Sequence, residues 1–220
     1  MEEAGTKRTY FLIGLFLIAA VLLSTLIAYP SLPARVPTHW NARGEIDGYG
    51  ARWTLFVIIP GAMAFMLGLF ALLPWLSPKH FEVNSFRSTY LYLMLVTVAF
   101  LAYVHALILM ASLGHAWHTG EAIGGGVCVL FILLGQVMAK VRRNFWIGVR
   151  TPWTLANERV WDATHRFAAK TFVAGGAGGL LLTLVGAPFW ASFSVLMAGA
   201  LVPVVHSLVY YKRLQRLGEL

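Results

Sequence analysis

Charge is what this sequence has least of. Only 12% of its 220 residues are Asp, Glu, Lys or Arg, against 59% hydrophobic, too little polar surface to cover a soluble globule. The chain therefore reads as an integral membrane protein. Acidic residues are scarcer still, nine against seventeen basic ones, leaving a formal net charge of +8. That excess does not indicate direct nucleic-acid binding, because the basic residues stand in short segments beside apolar runs, where topology and anionic headgroups account for them. The single cysteine, Cys128, excludes an internal disulfide, and its place in an apolar run suits a buried packing residue. Nucleophile elbow, phosphate loop, H-E-x-x-H zinc motif and dinucleotide fingerprint are all missing. There is no internal repeat, no low-complexity segment and no linker long enough to divide the chain. Residues 1–220 thus read as one integral membrane domain.

What is present is a series of apolar runs. Tyr10 to Tyr29 is long enough to cross a bilayer and exceeds the apolar core of about 7 to 15 residues found in secretory signals, so it reads as a retained first span. Further spans are expected at Leu55 to Leu76, Thr89 to Leu113, Ala122 to Ala139, Thr171 to Val185 and Phe189 to Tyr211. The fold class is all-α, a polytopic bundle of six transmembrane helices. Gly186-Ala187-Pro188 is a tight turn that makes the last two spans a hairpin. Gly175 and Gly179, four residues apart, suit close helix packing inside the bundle. With a cytoplasmic N-terminus, fourteen of the seventeen Lys and Arg fall on the inner side, leaving only Arg35, Arg43 and Arg52 outside. The positive-inside bias then places both termini in the cytoplasm.

Two polar stretches interrupt the apolar pattern. Residues 30–53 form the extracytoplasmic one; Pro30, Pro33 and Pro37 stiffen it, and Gly44, Gly48 and Gly50 permit turns, so it reads as an ordered cap. Residues 140–170 form the inner one, rich in arginine and tryptophan. Thr151 followed by Pro152 is a helix start. The spacing predicts an amphipathic helix from Pro152 to about Ala169 between the fourth and fifth spans. Trp153, Ala156, Val160, Ala163 and Phe167 form its apolar stripe, with Glu158, Trp161, Asp162 and His165 on another face. Such a helix lies in the membrane surface or packs across the mouths of the other helices.

Candidate sites follow from these stretches. Glu158, Asp162 and His165, at i, i+4 and i+7, offer one helix face to a proton or a divalent metal such as zinc. A membrane-surface salt-bridge network with Arg159, Arg166 or Lys140 explains the same residues without further ligands. On the cap, His39, Asn41, Glu45 and Asp47 suit a polar site or, for Asn41 and Asp47, turn-forming hydrogen bonds. His115 and His118 lie on the same side. Within the spans, His105 sits about 24 Å and His206 about 8 Å from the cytoplasmic ends, so they cannot share one site, and a hydrogen-bonded packing role suits each as well as a functional one.

Gly148 to Phe167, G-V-R-T-P-W-T-L-A-N-E-R-V-W-D-A-T-H-R-F, closely resembles the signature of the SdpI family of bacterial membrane proteins. P-T-H-W-N-A-R-G-E-I-D-G, Pro37 to Gly48, resembles a domain of unknown function commonly found N-terminal to that signature. Arg52 stands where that pattern has lysine, which keeps the charge. The resemblance implies an immunity protein of the bacterial cell membrane, protecting against a secreted, membrane-active peptide toxin and sequestering a cytoplasmic regulator. On this expectation the toxin meets His39, Trp40, Asn41, Gly44 and Asp47. The cytoplasmic output runs through Arg150, Thr151, Pro152, Trp153, Asn157, Glu158, Trp161, Thr164 and His165. Two other readings compete. One is a metal-dependent membrane hydrolase acting on toxin peptide or lipid through Glu158, Asp162 and His165. The other is a small transporter, although paired broken helices are not evident.

Overall fold

A computed structural model of the chain describes every residue except Met1, Ala42, His80, Ala116 and Trp117. Among the described residues six helices are long and apolar enough to cross a bilayer, and the protein is a multi-pass membrane protein. They are α1 (Glu2–Ala28), α2 (Ile58–Leu76), α3 (Arg87–Ser112), α4 (Thr119–Met138), α6 (Glu158–Leu184) and α7 (Phe189–Leu217), with a single short turn of helix, α5 (Pro152–Ala156), before α6. Alternating direction gives the bundle two ends. One carries a β-hairpin; the other carries both termini and the 139–157 segment.

The predicted surface helix takes a different form. It breaks at Asn157, whose backbone is extended and whose Oδ1 accepts hydrogen bonds from the N–H groups of Arg159 (2.9 Å) and Val160 (3.2 Å). A new helix starts on that cap and runs without interruption to Leu184. Thus the polar helix and the fifth span are one rod of 27 residues, about 40 Å at 1.5 Å per residue, longer than the roughly 30 Å hydrocarbon layer. Its inward face is also rotated from the expected one. Val160, Trp161, Thr164, His165 and Ala168 are buried, whereas Ala156 is exposed and Trp153, Ala163 and Phe167 are only half-buried. Trp161 and His165 therefore belong to the core side, not to a solvent face.

Glycine draws α4, α6 and α7 together. A Cβ on Gly176 would lie 2.6 Å from the Cys128 carbonyl, and one on Gly199 would lie 2.5 Å from the Thr171 carbonyl. Only hydrogen fits at those crossings, as expected where backbones meet in a bilayer. The main apolar core lies between α2, α3 and the 139–168 region, with Met63, Met94, Val98, Val141 and Trp161 fully enclosed. A smaller cluster of Leu32, Val36, Leu55, Ile108 and Leu109 seats the hairpin on α3.

The cap expected at residues 30–53 is a β-hairpin, β1 (Arg35–Trp40) paired antiparallel with β2 (Ile46–Ala51). Register runs from Arg35 opposite Ala51 to Trp40 opposite Ile46, with irregularities around His39. Val36 anchors it at 0% exposure.

Candidate functional site

At the hairpin end, the turn is built by Asn41. Its Oδ1 accepts from the N–H groups of Arg43 (2.8 Å) and Glu45 (3.1 Å), and its amide donates to Glu45 Oε2 (2.8 Å). Gly44, at φ +77°, closes the turn in a region that suits glycine. Arg43 Nε donates to the same Glu45 oxygen at 3.0 Å. The Asn41 amide and the Arg43 guanidinium together hold the Glu45 carboxyl below its ordinary range. Asp47 does not cap the turn; it pairs across the strands with His39 Nδ1. Trp40 is half-buried beneath them. His118 pairs with Glu121 on the first turn of α4 at 3.2 Å. The hairpin turn reaches that helix start, since a Cβ on Gly120 would fall 2.4 Å from the Gly44 Cα.

At the opposite end a buried polar core organises the arginine- and tryptophan-rich segment. Asn144, 0% exposed, donates to the carbonyls of Arg142 (2.8 Å) and Ile147 (3.0 Å) and accepts from the N–H groups of Trp146 (2.7 Å) and Ile147 (2.8 Å). All four hydrogen-bonding directions of that amide are thereby directed inward at backbone. Trp146 Nε1 donates to Ser77 Oγ (3.0 Å), and Trp161 Nε1 donates to the Val141 carbonyl (2.8 Å). Thr151 and Thr154 form a reciprocal capping box at the start of α5. The Thr151 hydroxyl also meets Ser207 Oγ of α7 at 3.1 Å, while Thr154 Oγ1 donates to the Val149 carbonyl at 2.8 Å.

His165 sits at the centre of this core, 1% exposed and stacked on Trp161 with ring centroids 4.0 Å apart. Its Nδ1–H donates to the Trp161 carbonyl (2.8 Å), and Nε2 accepts from the Val149 N–H (3.1 Å). Both nitrogens are committed to backbone. Gly148 makes this possible: its φ is +110°, and a Cβ there would stand 2.3 Å from His165 Nε2. Glu158 is exposed and Asp162 half-buried, and no group of three metal-ligating side chains occurs among the described residues. The structure does not bring Glu158, Asp162 and His165 together as a ligand set, and His165 has no lone pair left to give one.

The outer surface of this end is formed by Arg150, Pro152, Glu158 and Arg166, all exposed, with Trp153 and Asn157 half-buried. Arg159 is tied to Glu219 at 2.8 Å, which fastens the C-terminus to the start of α6. Among the span histidines, His206 is stacked between Phe167 (4.5 Å) and Tyr210 (5.8 Å) beneath this end. His105 lies near the hairpin, its Nε2 2.8 Å from Thr25 Oγ1 and its Nδ1 without a protein partner.

Two segments match known family models, and they cover both ends. The SdpI/YfhL protein family model matches residues 140–211, which span the buried polar core, α6 and most of α7. The domain of unknown function DUF1648 matches residues 15–64, which span the second half of α1, the hairpin and the start of α2. The Immunity protein SdpI of Bacillus subtilis (strain 168) is 30% identical over 165 residues, 75% of this chain and 77% of that protein. The chain belongs to the SdpI/YfhL family. No solved structure matches it. In this SdpI/YfhL chain, two residues of the polar core stand outside the Gly148 to Phe167 signature: Asn144 and Ser207. Ser207 stands inside an apolar span, and only the packing of α7 against α5 reveals its partner Thr151.

Proposed function

We propose that this protein is an immunity protein of the bacterial cell membrane that protects its host against a secreted, membrane-active peptide toxin. The observation that carries this is the match to the Bacillus subtilis immunity protein along three quarters of the chain. The positions of the basic residues support an orientation with both termini inside and the hairpin outside. In that orientation the hairpin meets the toxin, through His39, Trp40, Asn41, Gly44 and Asp47. The inner surface carrying Arg150, Pro152, Trp153 and Glu158 is where a cytoplasmic regulatory protein would dock. Thr151, Thr164, Trp161 and His165 are buried, so they support that surface and do not touch a partner.

The test is challenge of a sensitive bacterium expressing the chain with filtered medium from a strain secreting a membrane-active peptide. Expression confers survival, while His39→Ala and Glu158→Ala, at normal membrane levels, lose protection. No survival advantage from the wild-type chain would sink the reading. Full protection by both variants would remove these two residues from the site.

A further inference from the structure

We propose that the cavity under the hairpin turn is a receptor for the bulky apolar side chains of an amphipathic peptide; this rests on the immunity reading and says where the toxin is held. The cavity measures about 770 Å³, within the range of roughly 300–1,000 Å³ that ligand sites occupy. A helix of about 10–12 Å diameter does not fit inside, but several of its side chains do.

Three elements enclose it: the hairpin turn above, the first turns of α4 on one side, and the α6–α7 turn with the start of α7 on the other. Ile123, Phe193 and Met197 supply apolar, adaptable walls, and Trp40 and Trp190 stand among them, rings suited to a boundary that is apolar on one side and wet on the other. Gly124 borders the space. A Cβ there would meet only Phe189, at 3.8 Å, so a longer side chain would grow into the hollow.

The lining also says what enters. His39 and Arg43 of the hairpin line it together with Glu121 of α4, so both charge signs and the Asn41 amide border an apolar interior. A hydrocarbon tail gains nothing from such a border. A peptide does, because its backbone and charged side chains must be satisfied as its apolar residues are buried. A second hollow of about 710 Å³ lies between α3, α4 and α6, but no hairpin residue lines it. The α4 wall falls outside both segments matched by family models, so the receptor joins a shared hairpin to a stretch neither model describes.

The experiment uses the full chain in phosphatidylcholine nanodiscs with a synthetic leucine–lysine amphipathic peptide carrying one photo-activatable leucine. Crosslinks map to Ile123, Phe193 or Met197, and unlabelled peptide competes them away. Gly124→Leu reduces their yield about tenfold, equivalent to about 1.4 kcal/mol of binding, and Gly124→Ala reduces it less. Gly68→Leu, at a position with nothing within 4 Å of a Cβ, leaves the yield unchanged. Crosslinks confined to outward-facing positions such as Phe16 and Trp75 would overturn the proposal. So would yields indifferent to Gly124→Leu, or displacement by lauric acid but not by unlabelled peptide, which would make the cavity an acyl-chain site. Crosslinking in the cavity by a chain that protects no cell would uphold the receptor and remove the immunity reading. Undiminished cell protection by Gly124→Leu without crosslinks would do the reverse.

Discussion

His165 shows how differently a residue reads alone and in place. On a helical wheel it stands with Glu158 and Asp162 as a ligand; in the fold it is a bracket between two backbone segments, stacked on Trp161. Removing it leaves the Val149 N–H unpaired and opens a hole, so His165→Ala should cost roughly 2–5 kcal/mol. Gly148→Ala should cost about 1–3 kcal/mol in backbone strain and about 1–3 kcal/mol in overpacking against the imidazole. Once the ring is gone the overpacking disappears, so the double variant should lose less than the sum. Thermal unfolding of the purified protein in detergent reads all three, and strict additivity would show that the Gly148–His165 contact carries no energy.

Elements at both ends depend on one side-chain amide each. Asn157 starts α6 by accepting two N–H bonds, and its replacement by alanine should cost about 1 kcal/mol, a typical loss for an N-cap. Asn157→Asp should retain the cap; equal melting temperatures for Asn157→Ala and wild type would count against it. At the other end Asn41 and Arg43 hold Glu45 ionised. Because the folded pKa is depressed, the stability contributed by Glu45 is present in full above its ordinary value of 4.5 and is lost as pH falls through the lower, folded value. Limited proteolysis of the hairpin should therefore be flat from neutral pH down to that range and rise below it, whereas Glu45→Gln should remove the pH dependence. Hairpin sensitivity that begins near neutrality would point to another group.

For the whole molecule the decisive quantity is which end faces outward. With Cys128→Ser as a background without thiols, a cysteine replacing Asp47 should react with an impermeant maleimide on intact cells. One replacing Glu158 should react only after the membrane is opened. The opposite pattern would turn both proposed surfaces round, and the immunity reading with them. The architecture makes the two ends unequal in kind: one is a small sheet seated on apolar side chains over a cavity, the other a tightly bonded polar core with an exposed cationic rim.

Hydrophobic runs and basic flanks determined the membrane class and the six spans, because burial in lipid demands long apolar stretches whatever their neighbours are. The signature of Gly148 to Phe167 and the prolines and glycines of the cap marked where the chain is ordered outside them. Tertiary structure alone decided which face of α6 turns inward, since Trp161 and His165 are buried by partners at Val141 and Val149 that no helical period can reveal. It also decided the reach of Ser207 to Thr151 and the cavity. Each of those depends on two segments distant in the chain arriving at the same place, which periodicity within one segment does not encode.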